Sequence, residues 1–318
     1  MDVTHGSLAQ GASGARRPAS ALAVTVGSFD GVHRGHHAML ERLVAKGRAL
    51  GIRTCVLTFE PHPREFFTPA CAPARLSRLR EKLERIAQAG IDRVHVLRFD
   101  ARLAALSAEG FIADVLVSGL GARWLLVGRD FRYGAGRSGD YALLEAAAAR
   151  HGYALEAMPD VTDAGERVSS SAVRAALAAG DLARARRLLG RAYAMSGRVV
   201  HGEKLGRSLG FPTANIALRR RPPLAGIFVV EAEVEEARGA MRGVASVGRR
   251  PTVRPDAAPL LEVHLFDFQG SLYGRHLRVT FLEKLREEQK YEGLEALRAA
   301  IGRDAARAAE FFSRRMHA

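Results

Sequence analysis

Two histidines, His33 and His36, stand three positions apart in the run Gly27-Ser-Phe-Asp-Gly-Val-His33-Arg-Gly-His36. At the start of a helix this spacing lets both imidazoles face one ligand. Imidazole donors aimed at a phosphate stabilise the charge that develops there during transfer. Gly31 and Gly35 allow tight turns and close backbone approach. The apolar run Leu22 to Val26 just before them reads as a strand, and a strand-to-helix turn presents free N–H groups and a helix dipole to an anion. A lone histidine would fit a cap or a core position; His-x-Gly-His at such a turn favours phosphate chemistry.

A second group is Arg167-Val-Ser-Ser170-Ser171-Ala-Val-Arg174, with hydroxyls at an expected helix start and an arginine one turn on. It suits a polyphosphate, although a plain serine N-cap would also explain the hydroxyls. Phe59-Glu-Pro-His62-Pro63 and Val127-Gly-Arg-Asp130-Phe-Arg-Tyr-Gly134 each close an apolar run, and the strand ends of an open sheet are where ligands bind. In the second half, Gly202, Lys204 and Gly206 precede Pro212-Thr213-Ala-Asn215 without Walker A spacing. In a strand, Thr213 and Asn215 share a face, placing a hydroxyl and an amide oxygen side by side as magnesium prefers; a turn after Pro212 is an equal reading. Glu262, His264 and Phe266 alternate along Leu261 to Phe268. A carboxylate on that face can take the proton of an attacking hydroxyl, or merely pair with an arginine.

These groups need two different scaffolds. From Ala21 to about Gly180, strand-like runs at Leu22 to Val26, Thr54 to Phe59, Val94 to Phe99 and Trp124 to Gly128 alternate with amphipathic stretches, which predicts a doubly wound α/β domain. After Gly190, short strand candidates separated by Gly and Pro predict a small antiparallel β-barrel. They run over Gly197 to His201, Ile227 to Glu235, Gly243 to Val247, Leu261 to Phe268 and Leu277 to Phe281, and helical periodicity returns over Leu294 to Phe312. The expected division is a loose tail at 1–20, an α/β domain at 21–186 and a barrel with its C-terminal helix at 187–318.

Hydrophobic residues make up 47% of the 318 positions, a globular composition with no apolar run near the roughly 18 residues a bilayer demands. The first residues lack the apolar stretch of a secretory signal. Two cysteines without a CxxC fit a reducing cytoplasm and no structural zinc. The net charge of +14 keeps a nucleic-acid module in view. Scattered arginines and the absence of an aromatic-studded surface argue instead for anionic nucleotide ligands.

Taken in order, Gly27 to His36, Phe59 to Pro63, Val127 to Gly134, Arg167 to Arg174, Gly206 to Asn215 and Gly248 to Thr252 resemble the bacterial bifunctional riboflavin kinase/FMN adenylyltransferase (FAD synthetase) family from about Ala23 to Phe312. The resemblance implies a Rossmann-like nucleotidyltransferase domain followed by a riboflavin kinase-like barrel. It further implies ATP as co-substrate, magnesium, and riboflavin, FMN and FAD as ligands, with no nucleic-acid or membrane partner; a weak homo-oligomer is admitted. By that resemblance His33, His36 and Glu262 are catalytic. Gly27, Phe29, Asp30, Gly35, Arg167, Ser170, Ser171 and Arg174 bind ATP for adenylyl transfer, and His62, Pro63 and Asp130 bind flavin there. Gly202, Lys204, Gly206, Thr213 and Asn215 bind ATP for the kinase, with metal at Thr213 and Asn215 and flavin at Arg249, Arg286 and Glu288. Ser28 stands where the family often has Asn, and Ser171 where it often has Thr. A nucleotidyltransferase acting on another phosphorylated substrate, such as pantetheine phosphate, is the rival enzyme reading.

Overall fold

The computed structural model describes residues 1–6, 21–202, 206, 209–218, 220–234, 239–248 and 259–316. They form two compact units, Met1–Pro73 with Ser77–Val168, and Ala74–Leu76 with Ser169–Ala318.

The first unit is built on a six-stranded parallel sheet of β1 (Asp2–Gly6), β2 (Leu22–Val26), β3 (Arg53–Glu60), β4 (Arg93–Arg98), β5 (Ala122–Gly128) and β6 (Ala154–Met158). The spatial order is β1-β4-β3-β2-β5-β6. Strand β2 is buried along its whole length, as expected where both faces of a parallel sheet are covered. On one face, α1 (Arg34–Leu50) and α3 (Leu79–Gln88) set Leu40, Leu43 and Ile86 against Ala23, Val56 and Val94. On the other, Phe111–Gly119 and α4 (Tyr141–His151) cover Val24, Leu57 and Leu125. Helix α1 ends on Gly51 at φ 65°, where glycine meets no steric penalty. It approaches the sheet at Gly47, where a Cβ would lie 2.6 Å from Thr54 Cγ2. The chain runs outward from β2 through β3 to β4, then returns to β5 on the other side of β2. That reversal opens a crevice at the carboxyl ends of β2 and β5.

In place of a loose tail, Asp2–Gly6 adds to the edge of β4 in parallel. Thr4 Oγ1 lies 2.8 Å from His95 Nδ1 and Gly6 O lies 3.2 Å from His95 Nε2, so side-chain as well as main-chain bonds hold the strand. The remaining tail positions, 7–20, lie outside the described residues.

The second unit is a closed antiparallel barrel of β9 (Ala194–Val200), β10 (Thr213–Ala217), β11 (Gly226–Val234), β12 (Met241–Gly248), β13 (Leu260–Leu265) and β14 (His276–Arg286), ordered β10-β13-β12-β11-β14-β9. Leu261, Val263 and Leu265 point inward from β13, and Glu262 and His264 point outward between them. The C-terminal helix, which we number α7 (Leu294–Met316), places Ala308 and Phe312 on Val229 and Val244. Helices α5 (Ser170–Ala178) and α6 (Leu182–Leu189) belong to this unit, and α6 contacts both α5 and β14. The expected boundary at 186/187 therefore falls inside a helix.

Candidate active sites

In the first unit the Gly27–His36 run leaves β2 and enters α1 at the crevice. His33 is the N-cap: its Nδ1 accepts the His36 N–H at 3.3 Å. A neutral His33 therefore carries its proton on Nε2. The two rings stack with centroids 3.7 Å apart, and Phe29 lies 4.8 Å from His36, so both imidazoles are ordered at one helix start. Gly35 allows this closeness, since a Cβ there would meet His33 at 3.2 Å and the Val168 carbonyl at 3.4 Å. Gly27 likewise leaves room for the Phe29 ring, which would lie 3.2 Å from an added Cβ.

The turn itself is strained. Phe29 and Val32 adopt φ of 48° and 40°, a region that costs an ordinary residue about 1–3 kcal/mol. Both are buried, as is Asp30. Asp30, expected to bind ATP, accepts the Ser77 N–H and hydroxyl at its Oδ1, at 3.1 and 3.4 Å. Ser77 Oγ also accepts the Gly31 N–H at 3.0 Å. Nothing in the sequence singled out Ser77, because it lies far along the chain and resembles an ordinary residue before a helix.

His62 caps the short helix α2 (Pro63–Phe67), accepting Arg64 N–H at 3.1 Å, while Glu65 accepts the His62 N–H; Pro63 occupies the first turn. After β5, Asp130 accepts from Arg167 at 2.7 Å, and Asp160 pairs with the same guanidinium at 2.9 Å. Arg167 sits on β8 (Glu166–Arg167), paired with β7 (Thr162–Asp163). An ATP phosphate gripped by Arg167 would compete with two carboxylates, and these exposed pairs are weak enough to yield.

In the second unit, Ser169 rather than Ser170 or Ser171 caps α5, accepting Ala172 N–H at 3.1 Å. Ser170 is half-buried and Ser171 exposed in the first turn. Arg174 donates from Nε to the Ala74 carbonyl at 2.7 Å.

On the barrel, Asn215, Glu262 and Ser246 are direct register partners across β10, β13 and β12. Directly opposite residues share a face, so amide, carboxyl and hydroxyl form one outward row, with Thr213 beside His264 in the next. Asn215 is only 4% exposed. Its Nδ2 donates to Thr213 O at 3.4 Å, whereas its buried Oδ1 has no hydrogen-bond partner among the described residues. Gly202 and Gly206 close over this row: a Cβ at Gly202 would lie 2.5 Å from Asn215 Nδ2, and one at Gly206 3.4 Å from Thr213 Oγ1. A buried amide oxygen beside a hydroxyl under glycine backbone fits a hard cation that takes oxygen ligands.

The sequence comparison assigns the chain. It is 48% identical over 296 residues to the bifunctional riboflavin kinase/FMN adenylyltransferase of Escherichia coli (strain K12), covering 93% of this chain and 94% of that protein. The chain belongs to the bifunctional riboflavin kinase/FMN adenylyltransferase family. The bifunctional enzyme of Pseudomonas fluorescens is 50% identical over 89% of this chain and 91% of its own, and that of Haemophilus influenzae 42% identical over 96% and 99%. The FAD synthetase family model matches residues 16–172 and the riboflavin kinase model residues 189–312. A crystal structure described as a macrolide-efflux protein from Streptococcus pneumoniae shares the fold, with TM-score 0.74 at 27% identity over 91% of this chain and 93% of that one. No helix among the described residues is long and apolar enough to cross a membrane.

Glu288 lies with its carboxyl against Gly248, where an added Cβ would meet Oε2 at 1.8 Å, and accepts the Ser246 hydroxyl at 3.2 Å. Although the residue as a whole is exposed, burial of the carboxyl, together with the nearby charge of Glu262, holds it above the ordinary glutamate range. Arg286 is engaged by Asp304, with Nε and Nη2 both bonded to that carboxylate at 2.6 to 3.1 Å. Its guanidinium thus ties β14 to α7. Lys204 and Arg249 lie outside the described residues.

Proposed function

We propose that the chain phosphorylates riboflavin to FMN and then adenylylates FMN to FAD, consuming ATP in each step. One observation carries this reading: a single chain bears two separate phosphate-type constellations, the stacked imidazoles after β2 and the Asn215–Glu262–Ser246 row on the barrel. We assign adenylyl transfer to residues 21–186 and the kinase to 187–318.

In the kinase step, Glu262 takes the proton of riboflavin's terminal ribityl hydroxyl as that oxygen bonds to the γ-phosphorus and ADP departs. Thr213 Oγ1 and Asn215 Oδ1 would hold magnesium, which when bound neutralises charge on the ATP phosphates. Gly202, Lys204 and Gly206 admit those phosphates. Glu288 and Arg249 meet the flavin, and Arg286 shapes that pocket through its hold on α7.

In the second step an FMN phosphate oxygen bonds to the α-phosphorus of ATP, and the bond to the bridging oxygen breaks to release pyrophosphate. His33 and His36 donate to the charge that grows on the α-phosphate. Gly27, Phe29, Asp30 and Gly35 fix the turn that carries them. Arg167, Ser170, Ser171 and Arg174 bind phosphates, and His62, Pro63 and Asp130 flank the flavin.

A reducing cytoplasm suits the two unpaired cysteines; burial pushes the Cys55 thiol up to about 12 and keeps it unreactive. A weak homo-oligomer is compatible with both reactions. The test is to give the purified chain riboflavin, ATP and magnesium and to chromatograph the flavins over time. FMN should appear first and FAD after it; riboflavin left unmodified by the folded chain overturns the proposal.

A further inference from the structure

The turn from β2 into α1 holds Phe29 and Val32 in the left-handed region, and such a turn persists only where its surroundings over-determine it. Two of its supports come from the amino-terminal end of α3. Ser77, just before that helix, holds Asp30 and Gly31. The other is Lys82, one turn before the core residue Ile86 and itself only 4% exposed. Its Nζ donates to Thr58 Oγ1 at 3.3 Å, and Thr58 Oγ1 donates in turn to the Ser28 carbonyl at 3.3 Å.

The direction of this relay is set by the inventory of protons. A hydroxyl has one proton, which here goes to the carbonyl, so its oxygen must accept from the ammonium. Lysine is rarely buried this fully, and the inner face of a helix packed on a sheet ordinarily carries an apolar residue.

We propose that Lys82 is a positioning residue for adenylyl transfer, fixing through Thr58 the Ser28 carbonyl and with it the path of the chain into the His33–His36 turn. At position 28 the relay holds the main-chain oxygen. Loosening that carbonyl lets the strained turn relax and shifts His33, the cap of α1, away from the transferring phosphate. The inference rests on the adenylyl-transfer reading above.

Lys82→Met keeps the length and apolar stem while removing the donor; Thr58→Val removes the hydroxyl, and Thr58→Ser keeps it. FAD formation from FMN and ATP is measured at steady state, with riboflavin phosphorylation by the same sample as the internal control. We expect kcat for FAD formation to fall roughly tenfold to a hundredfold in Lys82→Met and Thr58→Val, with KM for FMN and the kinase rate unchanged. Thr58→Ser should restore the rate, and the double variant should be no worse than the poorer single, as for two members of one relay. Wild-type kcat in both single variants, or losses that multiply, overturns the proposal. A wild-type chain that makes no FAD removes the adenylyl-transfer reading and the proposal with it, whereas a wild type that makes FAD beside fully active variants removes the proposal alone.

Discussion

Glu288 and His36 mark the two kinds of work single side chains do in this molecule. Glu288 is held above its ordinary value of 4.5, chiefly by burial of its carboxyl. A carboxyl whose folded-state value exceeds its unfolded one binds its proton more tightly when folded. The stability it contributes is therefore present below 4.5 and lost as pH rises through the folded value. Glu288→Gln should remove that decline: between about pH 4 and pH 7 the barrel's unfolding temperature should fall less in the variant than in the wild type, as calorimetry would read. In the adenylyl transfer proposed above, His36 acts on substrate instead. His36→Ala should lower FAD formation by about a hundredfold, the scale of losing one aligned donor to a transition-state charge, while FMN accumulates. Chromatography of the flavins checks both parts. The sequence made His33 and His36 legible because their spacing and their strand-to-helix setting are local. Ser77 and Thr58 were not legible, since their partners Asp30 and Ser28 are brought to them only by the folding of α3 and β3 against β2.

Among the elements, α1 shows how closely the sheet and its helices are fitted. Its Gly47 sits where any side chain would press on Thr54 and the Ile52 carbonyl. Gly47→Ala should cost about 1–3 kcal/mol by overpacking, although alanine is the better helix former. Thermal unfolding should show the first unit melting earlier, with riboflavin phosphorylation intact. The strands β2 to β5 were readable as apolar runs between breakers, and so were most of the barrel strands. Two escaped. Asp2–Gly6 lacks an apolar alternation and becomes a strand through β4 and His95. Ala154–Met158 reads as Ala-Leu-Glu-Ala-Met, good helix formers that tertiary pairing with β5 overrides.

Across the whole molecule, two compact units explain why two chemistries can share a chain, and the strand-to-barrel change of texture near Gly190 made that visible beforehand. What the texture did not reveal is where the second unit starts. Helices α5 and α6 fold with the barrel, and α6 packs on β14. A fragment of residues 169–318 should therefore melt at a higher temperature than one of 187–318, which cuts α6 and exposes Leu188 and Leu189 without their turn partners. Paired calorimetric scans of the two fragments would decide; equal melting temperatures would place α6 outside the folding unit.

Where Gly202 lies on the Asn215 amide, the backbone leaves no room for even one methyl group. Gly202→Ala would consequently act as a plug, crowding the amide oxygen away from the magnesium proposed above while Thr213 and Asn215 both stay in the sequence. Such a chain should still convert supplied FMN to FAD yet leave riboflavin untouched, so that flavin-starved cells carrying it would need FMN rather than the vitamin.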